Sequence, residues 1–264
     1  NRGPRVSVAV VRAEQRDAPG SHSDPAQRVR GVAMRPGTGE YARATSPVYY
    51  SDGPGSQWAA NVNTPSGKSD FATSFESLSE ELPGCEAVSL VVSWFGGDLR
   101  CGSCRIVPKV EHKAIESATM PWQVAGQLRA AVEQIAREGG RPIYGGTPAD
   151  ASVIEAIAYM NAAGRRVMFY PFILMDQQAG NGLPDPWTGA EDQPHLPWRG
   201  RITLSVAPGQ DGSPDRSAAA DAEVAAFFGA ARASDFTVGD GGVTYSGPEE
   251  WGLRRFILHY AALC

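Results

Sequence analysis

The sequence has little of what marks several protein classes. Its 264 residues contain only four cysteines, too few to suggest a disulfide scaffold. No apolar run approaches the roughly 18 residues that a membrane-spanning helix needs, and the first ten residues lack the apolar stretch of a signal peptide. The net charge is −5, so no basic excess points to nucleic acid. We therefore expect neither a nucleic-acid partner nor a membrane span.

Nucleotide-binding motifs are also missing. The pair Gly145-Gly146 precedes a predicted helix, but it does not fit the G-x-G-x-x-G or P-loop pattern. Two interpretations remain open for these glycines: a simple turn, or an anion site at the helix N-terminus. The sequence predicts no cofactor.

What is present is an α/β pattern, clearest as a βαβ unit in the middle of the chain. Residues 141–144 form a short apolar stretch, and Thr147 is a suitable N-cap for a helix at about 148–163. Residues 166–174 are almost continuously apolar, which is typical of a strand covered on both faces. A strand, a crossover helix and a second strand predict a parallel sheet.

Further elements flank this unit. Ser69 and Thr119 are predicted N-caps, and apolar residues at helical spacing follow each of them. The predicted elements are helices at about 69–82, 119–138, 217–230 and 247–260, and a buried strand at 87–95. We expect the strands at about 88–95, 141–145 and 166–174 to be adjacent and parallel, with the helices outside.

The first 48 residues differ from the rest. Val6, Val8 and Val10 alternate with other residues and predict a half-buried strand, and residues 28–34 are a candidate partner strand. We divide the chain into an N-terminal β/loop segment or linker at 1–48 and an α/β domain at 49–264. A solvated linker and a docking arm both remain open for the first part.

Six segments match a known family in their order: GTGEYARATSPVYY, NVNTPSGKSDFATS, VSLVVSWFGGDLRCGSCRIVPKVE, RPIYGGTPADASVIEAI, MFYPFILMDQQAGNGLPDPWTG and LPWRGRITLS. Over about residues 31–264 the chain resembles the glycoside-hydrolase-like TIM-barrel domain of the large multidomain tail baseplate protein of gene transfer agents and related tailed phages. The resemblance implies a (β/α)8 barrel. Since the chain reaches Cys264 after about three βα units, we expect a partial TIM-like barrel, truncated at its C-terminal end.

The resemblance also implies a function. It indicates a structural virion component, located in the tail tip after assembly in the bacterial cytoplasm, with hub and distal tail proteins as partners and a homotrimeric setting. A host surface glycan is a further candidate partner. The alternative is an active glycoside hydrolase acting on surface polysaccharide or peptidoglycan. In hydrolases of this architecture the catalytic acid and nucleophile commonly follow the fourth and seventh strands, so we expect no enzyme activity from this chain.

Glycoside hydrolysis requires two carboxyl groups about 5–9 Å apart. The candidates are Asp98 and Asp176, which follow the first and third predicted strands. Trp94, Tyr170 and Trp187 are candidate stacking platforms for sugar rings at the barrel mouth. The other interpretation is that the carboxylates cap loops and the aromatic residues pack in the barrel, so no catalytic residue is assigned.

A long loop at 177–200 contains the sequences PDPW and LPW. Loops of this length inside a compact domain are usually functional. Trp187 and Trp198 are semi-rigid aromatic anchors there, and we predict that they form an interface.

The cysteines give a weak signal for a metal. Cys85, Cys101 and Cys104 are spaced C-x15-C-x2-C, and a metal would need a fourth ligand such as His112 or Cys264. Free thiols, a disulfide and a metal site all remain open, and we assign no metal.

Overall fold

A computed structural model describes residues 25–239 and 242–264. The strand predicted around Val6, Val8 and Val10 lies outside these residues. No helix in the described part of the chain is long and apolar enough to cross a membrane.

The described residues form five α-helices and fifteen mostly short strands. The helices are α1 Pro25–Arg28, α2 Asp70–Glu81, α3 Asp150–Ala162, α4 Ala218–Phe228 and α5 Leu253–Leu263. The strands are β1 Gly31–Met34, β2 Tyr49–Gly53, β3 Ser56–Ala59, β4 Ala87–Gly96, β5 Ile106–Val107, β6 Lys109–Val110, β7 Glu116–Ser117, β8 Gln123–Val124, β9 Gln127–Leu128, β10 Glu133–Gln134, β11 Arg137–Glu138, β12 Arg141–Pro142, β13 Arg166–Met175, β14 Phe236–Gly239 and β15 Gly242–Tyr245.

The centre of the fold is a parallel sheet in the order β1-β4-β13, with β5 added antiparallel at the end of β4. Helix α2 connects β1 to β4, and α3 connects β4 to β13. Because such crossovers are right-handed, two that step in the same direction lie on the same face of the sheet. Phe75 of α2 and Tyr159 of α3 are in ring contact at 5.4 Å, as this arrangement requires. The predicted α/β class with a parallel sheet is confirmed, but the strands of the described residues do not close into a barrel.

The helix-covered face of the sheet carries the core. Alternate side chains of β4 point into it and are fully buried: Val88, Leu90, Val92 and Trp94. Helix α5 packs over the same face, where the Tyr260 ring stacks on Phe169 at 4.6 Å and its hydroxyl accepts the Trp94 Nε1–H at 2.8 Å. His259 of α5 is also fully buried and bonds to the Asp150 carboxylate at 3.0 Å. These contacts fix α5 against both the sheet and α3.

The opposite face of β13 is partly open. Met168 is 60% exposed and Tyr170 is 44% exposed. The prediction that 166–174 is covered on both faces is therefore wrong, although the strand itself is confirmed. The reason is that every crossover helix lies on the other face, and β13 pairs only with β4 among the described residues. We call this side of the sheet the helix-free face.

The helix predicted at 119–138 is wrong. Residues Ala125 and Gly126 have φ values of 49° and 77° and form the two-residue turn of the β8–β9 hairpin, as positive φ at both positions favours. The apolar residues that suggested a helix lie instead on extended chain: Val124, Val132 and Ile135 are buried, and Leu128 is 59% exposed.

The strand predicted at 141–145 does not join the sheet. Only β12 forms there, and it pairs antiparallel with β11, so β13 lies directly beside β4. The third parallel strand is β1, within the segment taken as a partner of the N-terminal strand.

The predicted helix starts have mixed outcomes. Ser69 caps α2 and accepts the Ala72 N–H, as predicted. Helix α3 begins at Asp150 rather than 148, because the Thr147 hydroxyl is used elsewhere: it donates to the Ser93 carbonyl and accepts the Lys109 N–H. Helix α4 is present as predicted, and α5 begins at Leu253, later than 247.

Candidate functional site at the carboxyl edge of the sheet

The carboxyl ends of the parallel strands form the edge at which α/β folds place their ligand sites. Strand β4 ends at Gly96 and β13 at Met175, so Asp98 and Asp176 both follow at this edge. They line one open cavity of about 460 Å³ together with Lys109. The structure thus brings together the two carboxylates that the sequence singled out.

Asp98 is almost fully saturated with hydrogen bonds. Its carboxylate accepts the Arg100 backbone N–H at 2.8 Å, the Arg100 Nη2 at 2.6 Å and the Gln193 Nε2 at 2.6 Å. Burial alone would raise the pKa of Asp98, but the hydrogen bonds from Arg100 and Gln193 outweigh burial and hold the pKa below its usual value. A carboxylate kept ionised in this way accepts hydrogen bonds and does not act as a proton donor.

Asp176 is tied into the structure in a similar way. Its two oxygens accept from Lys109 Nζ at 3.0 and 3.1 Å, and Oδ2 also accepts the Ala136 N–H at 3.0 Å. Both Asp176 and Lys109 are buried. The interpretation that these aspartates hold loops in place is therefore favoured over direct acid–base work.

The aromatic candidates are not gathered at this cavity. Trp94 is fully buried among helix residues and is not available to a ligand, which corrects its assignment as a mouth contact. Tyr170 lies on the helix-free face. Trp187 is 37% exposed, with its Nε1–H donated to the Arg201 carbonyl at 2.7 Å, and Trp198 is 67% exposed.

The candidate cysteines lie at opposite ends of β4. Cys85 precedes the strand and Cys101 follows it, and ten strand residues span about 30 Å. Cys85, Cys101 and Cys104 are buried free thiols, and burial raises the pKa of Cys104 to about 11. Within residues 25–239 and 242–264, no group of three or more suitable side chains could hold a metal ion.

A second cavity opens at the same edge, on the helix-free face. Its volume is about 390 Å³, and its polar lining residues are Arg35, Thr38, Arg43, Ser93, Glu111 and Tyr144. We call it the Arg43 cavity. Val91 and Leu174 contribute apolar surface from β4 and β13. None of these polar residues is singled out by the sequence, because none belongs to a short functional motif, although all except Arg35 lie within the segments that carry the resemblance.

Glu111 is the carboxylate of the Arg43 cavity. Its Oε1 accepts the Gly146 N–H at 2.9 Å, and its own N–H donates to Glu40 Oε1 at 2.6 Å. Burial raises the pKa of Glu111, and the nearby Glu40 charge adds to the effect. Of the two glycines, Gly146 thus donates its N–H to a carboxyl group of the same chain.

Glu40 is held by a buried ion pair behind this cavity. Its Oε2 contacts Arg129 Nη2 at 2.6 Å and accepts the Tyr50 hydroxyl at 3.3 Å. Arg129 also donates through Nε to Glu116 at 3.0 Å and through Nη1 to the His112 carbonyl at 2.7 Å. We call Glu40, Arg129 and Glu116 the Arg129 network.

The two cavities differ in chemistry. In the first, Asp98 and Asp176 are matched by their own cations, whereas in the second Glu111 has a raised pKa and Arg43 has no carboxylate partner among the described residues. The Arg43 cavity is therefore the one in which a buried charged side chain is left without an oppositely charged partner; the first cavity has only the neutral Gln177 Oε1 as a buried acceptor without a partner among the described residues. No protein-family model matches this chain, and no curated protein is significantly similar to it.

Proposed function

We propose that this chain is a structural component of a phage-like tail tip or baseplate, carrying a glycoside-hydrolase-like barrel module. The observation that carries the proposal is the sheet: the order β1-β4-β13 follows the chain, and α2 and α3 cover one face. The first three βα units of a (β/α)8 barrel have this arrangement, and so does one βαβαβ half of a doubly wound sheet. The ordered sequence segments are what favour the barrel family.

The long loop at 177–200 supports a role in assembly. Trp198 is 67% exposed, and large exposed aromatic residues are frequent anchors of protein interfaces. The Trp187 side chain is less available to a partner, because its ring N–H donates a hydrogen bond to the Arg201 carbonyl. In this proposal the loop contacts hub or distal tail proteins in a homotrimeric particle, and the barrel module contacts the host envelope.

The test is Trp198→Ala in particles from the strain that encodes the chain. We expect the variant chain to keep its unfolding midpoint but to be incorporated into particles less than the wild type. Trp58→Ala is the matched control, because Trp58 is 40% exposed and lies outside the loop. Normal incorporation of the Trp198→Ala chain, combined with a lowered midpoint, would assign Trp198 to folding instead. Absence of the wild-type chain from purified particles would refute the proposal itself.

An active glycoside hydrolase remains the second candidate. Glu111 favours it, since a carboxyl group with a raised pKa in a cavity is suited to act as a general acid. A second carboxylate is required, but Glu111 is the only acidic residue among those lining this cavity, and Glu40 is paired with Arg129. We therefore expect no turnover of cell-wall or capsular polysaccharide by the chain; hydrolysis abolished by Glu111→Gln or Asp176→Asn would establish the enzyme.

A further inference from the structure

Arg43 is a buried cation whose charge is not matched by a carboxylate. It is 6% exposed. Its Nε and Nη2 donate to the Val91 carbonyl at 3.2 and 2.9 Å, and Nη1 donates to the carbonyls of Gly37 and Ala42 at 3.1 and 3.5 Å. A guanidinium has five N–H groups, so one N–H of Nη2 has no acceptor among the described residues.

The other buried cations of the described chain are compensated. Lys109 contacts Asp176 at 3.0 Å, and Arg129 contacts Glu40 at 2.6 Å. Arg255 lies over the rings of Trp251 and Tyr245 at 3.7 and 4.1 Å. Arg43 alone among them has neither a carboxylate nor an aromatic face, and it borders an open cavity.

Burying an uncompensated charge is costly, and an anion beside it offsets that cost. Burial lowers the pKa of Arg43 to about 10, and the charge of Arg35 contributes to the lowering. Arg35 lines the same cavity and is exposed. Two positive charges at one wall thus favour a negatively charged ligand group.

The cavity is larger than a simple anion needs. Its volume of about 390 Å³ falls within the range of about 300–1,000 Å³ typical of small-molecule sites. Ser93 and Tyr144 border it, and no hydrogen bond involves the side-chain hydroxyl of either residue among the described residues. Glu111 Oε2 is likewise without a donor there. These groups suit a ligand with several hydroxyls attached to its carboxylate.

We propose that the Arg43 cavity binds an acidic sugar unit of the hexuronate class, with the carboxylate on Arg43 and Arg35 and the hydroxyls near Ser93, Glu111 and Tyr144. The inference that the ligand is a sugar rests on the proposed envelope-contacting function. The inference that the ligand carries a carboxylate rests on the two arginines and the cavity alone.

The experiment measures binding of D-glucuronate to the full chain by titration calorimetry or ligand-observed NMR. D-Glucuronamide is the matched neutral probe, and acetate is the probe for a carboxylate without a sugar. We expect glucuronate to bind about tenfold tighter than glucuronamide, the factor typical of one hydrogen bond to a charged group. Acetate should bind weaker than glucuronate, because it lacks the hydroxyls.

Arg35→Gln is the main variant, because this side chain is exposed and its loss should leave the fold intact. We expect it to weaken glucuronate binding about fivefold and to leave glucuronamide binding unchanged. Arg28→Gln, on exposed helix α1, is the control and should change neither. Arg43→Gln should abolish the preference for glucuronate; its unfolding midpoint shows whether the variant is folded.

Equal affinity for glucuronate and glucuronamide would overturn the proposal, and equal affinity for glucuronate and acetate would overturn its sugar part. Neither result bears on whether the chain is in the tail particle, because Arg35 lies outside the 177–200 loop. Glucuronate binding by a chain that is absent from particles would instead refute only the proposed location.

Discussion

Replacing Arg129 by methionine is the sharpest test of how the irregular middle of the chain is held. The Arg129 side chain is 4% exposed and that of Glu40 is fully buried, and Arg129 Nη2 lies 2.6 Å from Glu40 Oε2. Methionine retains most of the apolar stem, so the change mainly removes the charge and leaves Glu40 as a buried carboxylate without its cation. Breaking a buried ion pair in this way costs about 3–5 kcal/mol. The contact with Glu116, which is 42% exposed, adds at most about 1 kcal/mol.

The assay is urea denaturation of the full chain, with a double-mutant cycle. Arg129→Met should lower the unfolding free energy by about 3–5 kcal/mol, whereas Arg129→Met combined with Glu40→Gln should cost clearly less than the sum of the single changes. Lys68→Met is the control, since its pair with Glu76 is solvent-exposed and should contribute about 0–1 kcal/mol. A loss below about 1 kcal/mol for Arg129→Met, or strict additivity, would refute the assigned role.

Three further outcomes are expected. Gly145→Ala should cost about 1–3 kcal/mol in denaturation, because its Cβ would lie 2.2 Å from the Gly39 backbone nitrogen; Gly37→Ala, with its nearest contact at 3.7 Å, should be near neutral, and equal effects would contradict this. Relative to the wild type, the Glu111→Gln variant should be more stable at pH 7 than at pH 4. The pKa of Glu111 is raised in the folded protein, so its contribution to stability is fully present below the unfolded pKa of about 4.3. That contribution is lost as the pH rises through the folded pKa. An unchanged difference between the two pH values would contradict the raised pKa. Tyr170→Lys, on the open face of β13, should raise the concentration at which the chain aggregates, measured by light scattering. An unchanged aggregation concentration would show that this face does not drive self-association.

The parts of the fold that the sequence predicted are those in which local pattern and burial agree. Ser69 and the apolar stripe after it define α2 because the cap and the buried face both lie within twelve residues. Strands β4 and β13 are long apolar runs closed by polar or glycine residues. Once two parallel strands are known, Asp98 and Asp176 must share the carboxyl edge, and they line one cavity there.

The helix predicted at 119–138 shows where local pattern is not sufficient. The spacing of Val124, Val132 and Ile135 fits a helix, yet all three are buried on extended chain. Besides the local turn, a contact distant in sequence holds this extended chain: Arg129 bonds to Glu40, 89 residues earlier. The place of strand β1 in the parallel sheet is missed for a similar reason, since its four residues pair with β4 across a long connection.

The Arg43 cavity could not be predicted from the sequence, because all of its polar residues except Ser93 lie outside the regular elements. Arg43 and Glu111 come from irregular or very short segments, and they meet where Gly145 and Gly146 pack against residues 38–40 with no room for a Cβ atom. A substitution at either glycine therefore acts on the cavity as well as on stability. If Gly145→Ala weakens glucuronate binding under conditions where the chain is still folded, the close backbone contact is what positions the cavity, and the strands alone are not enough to form it.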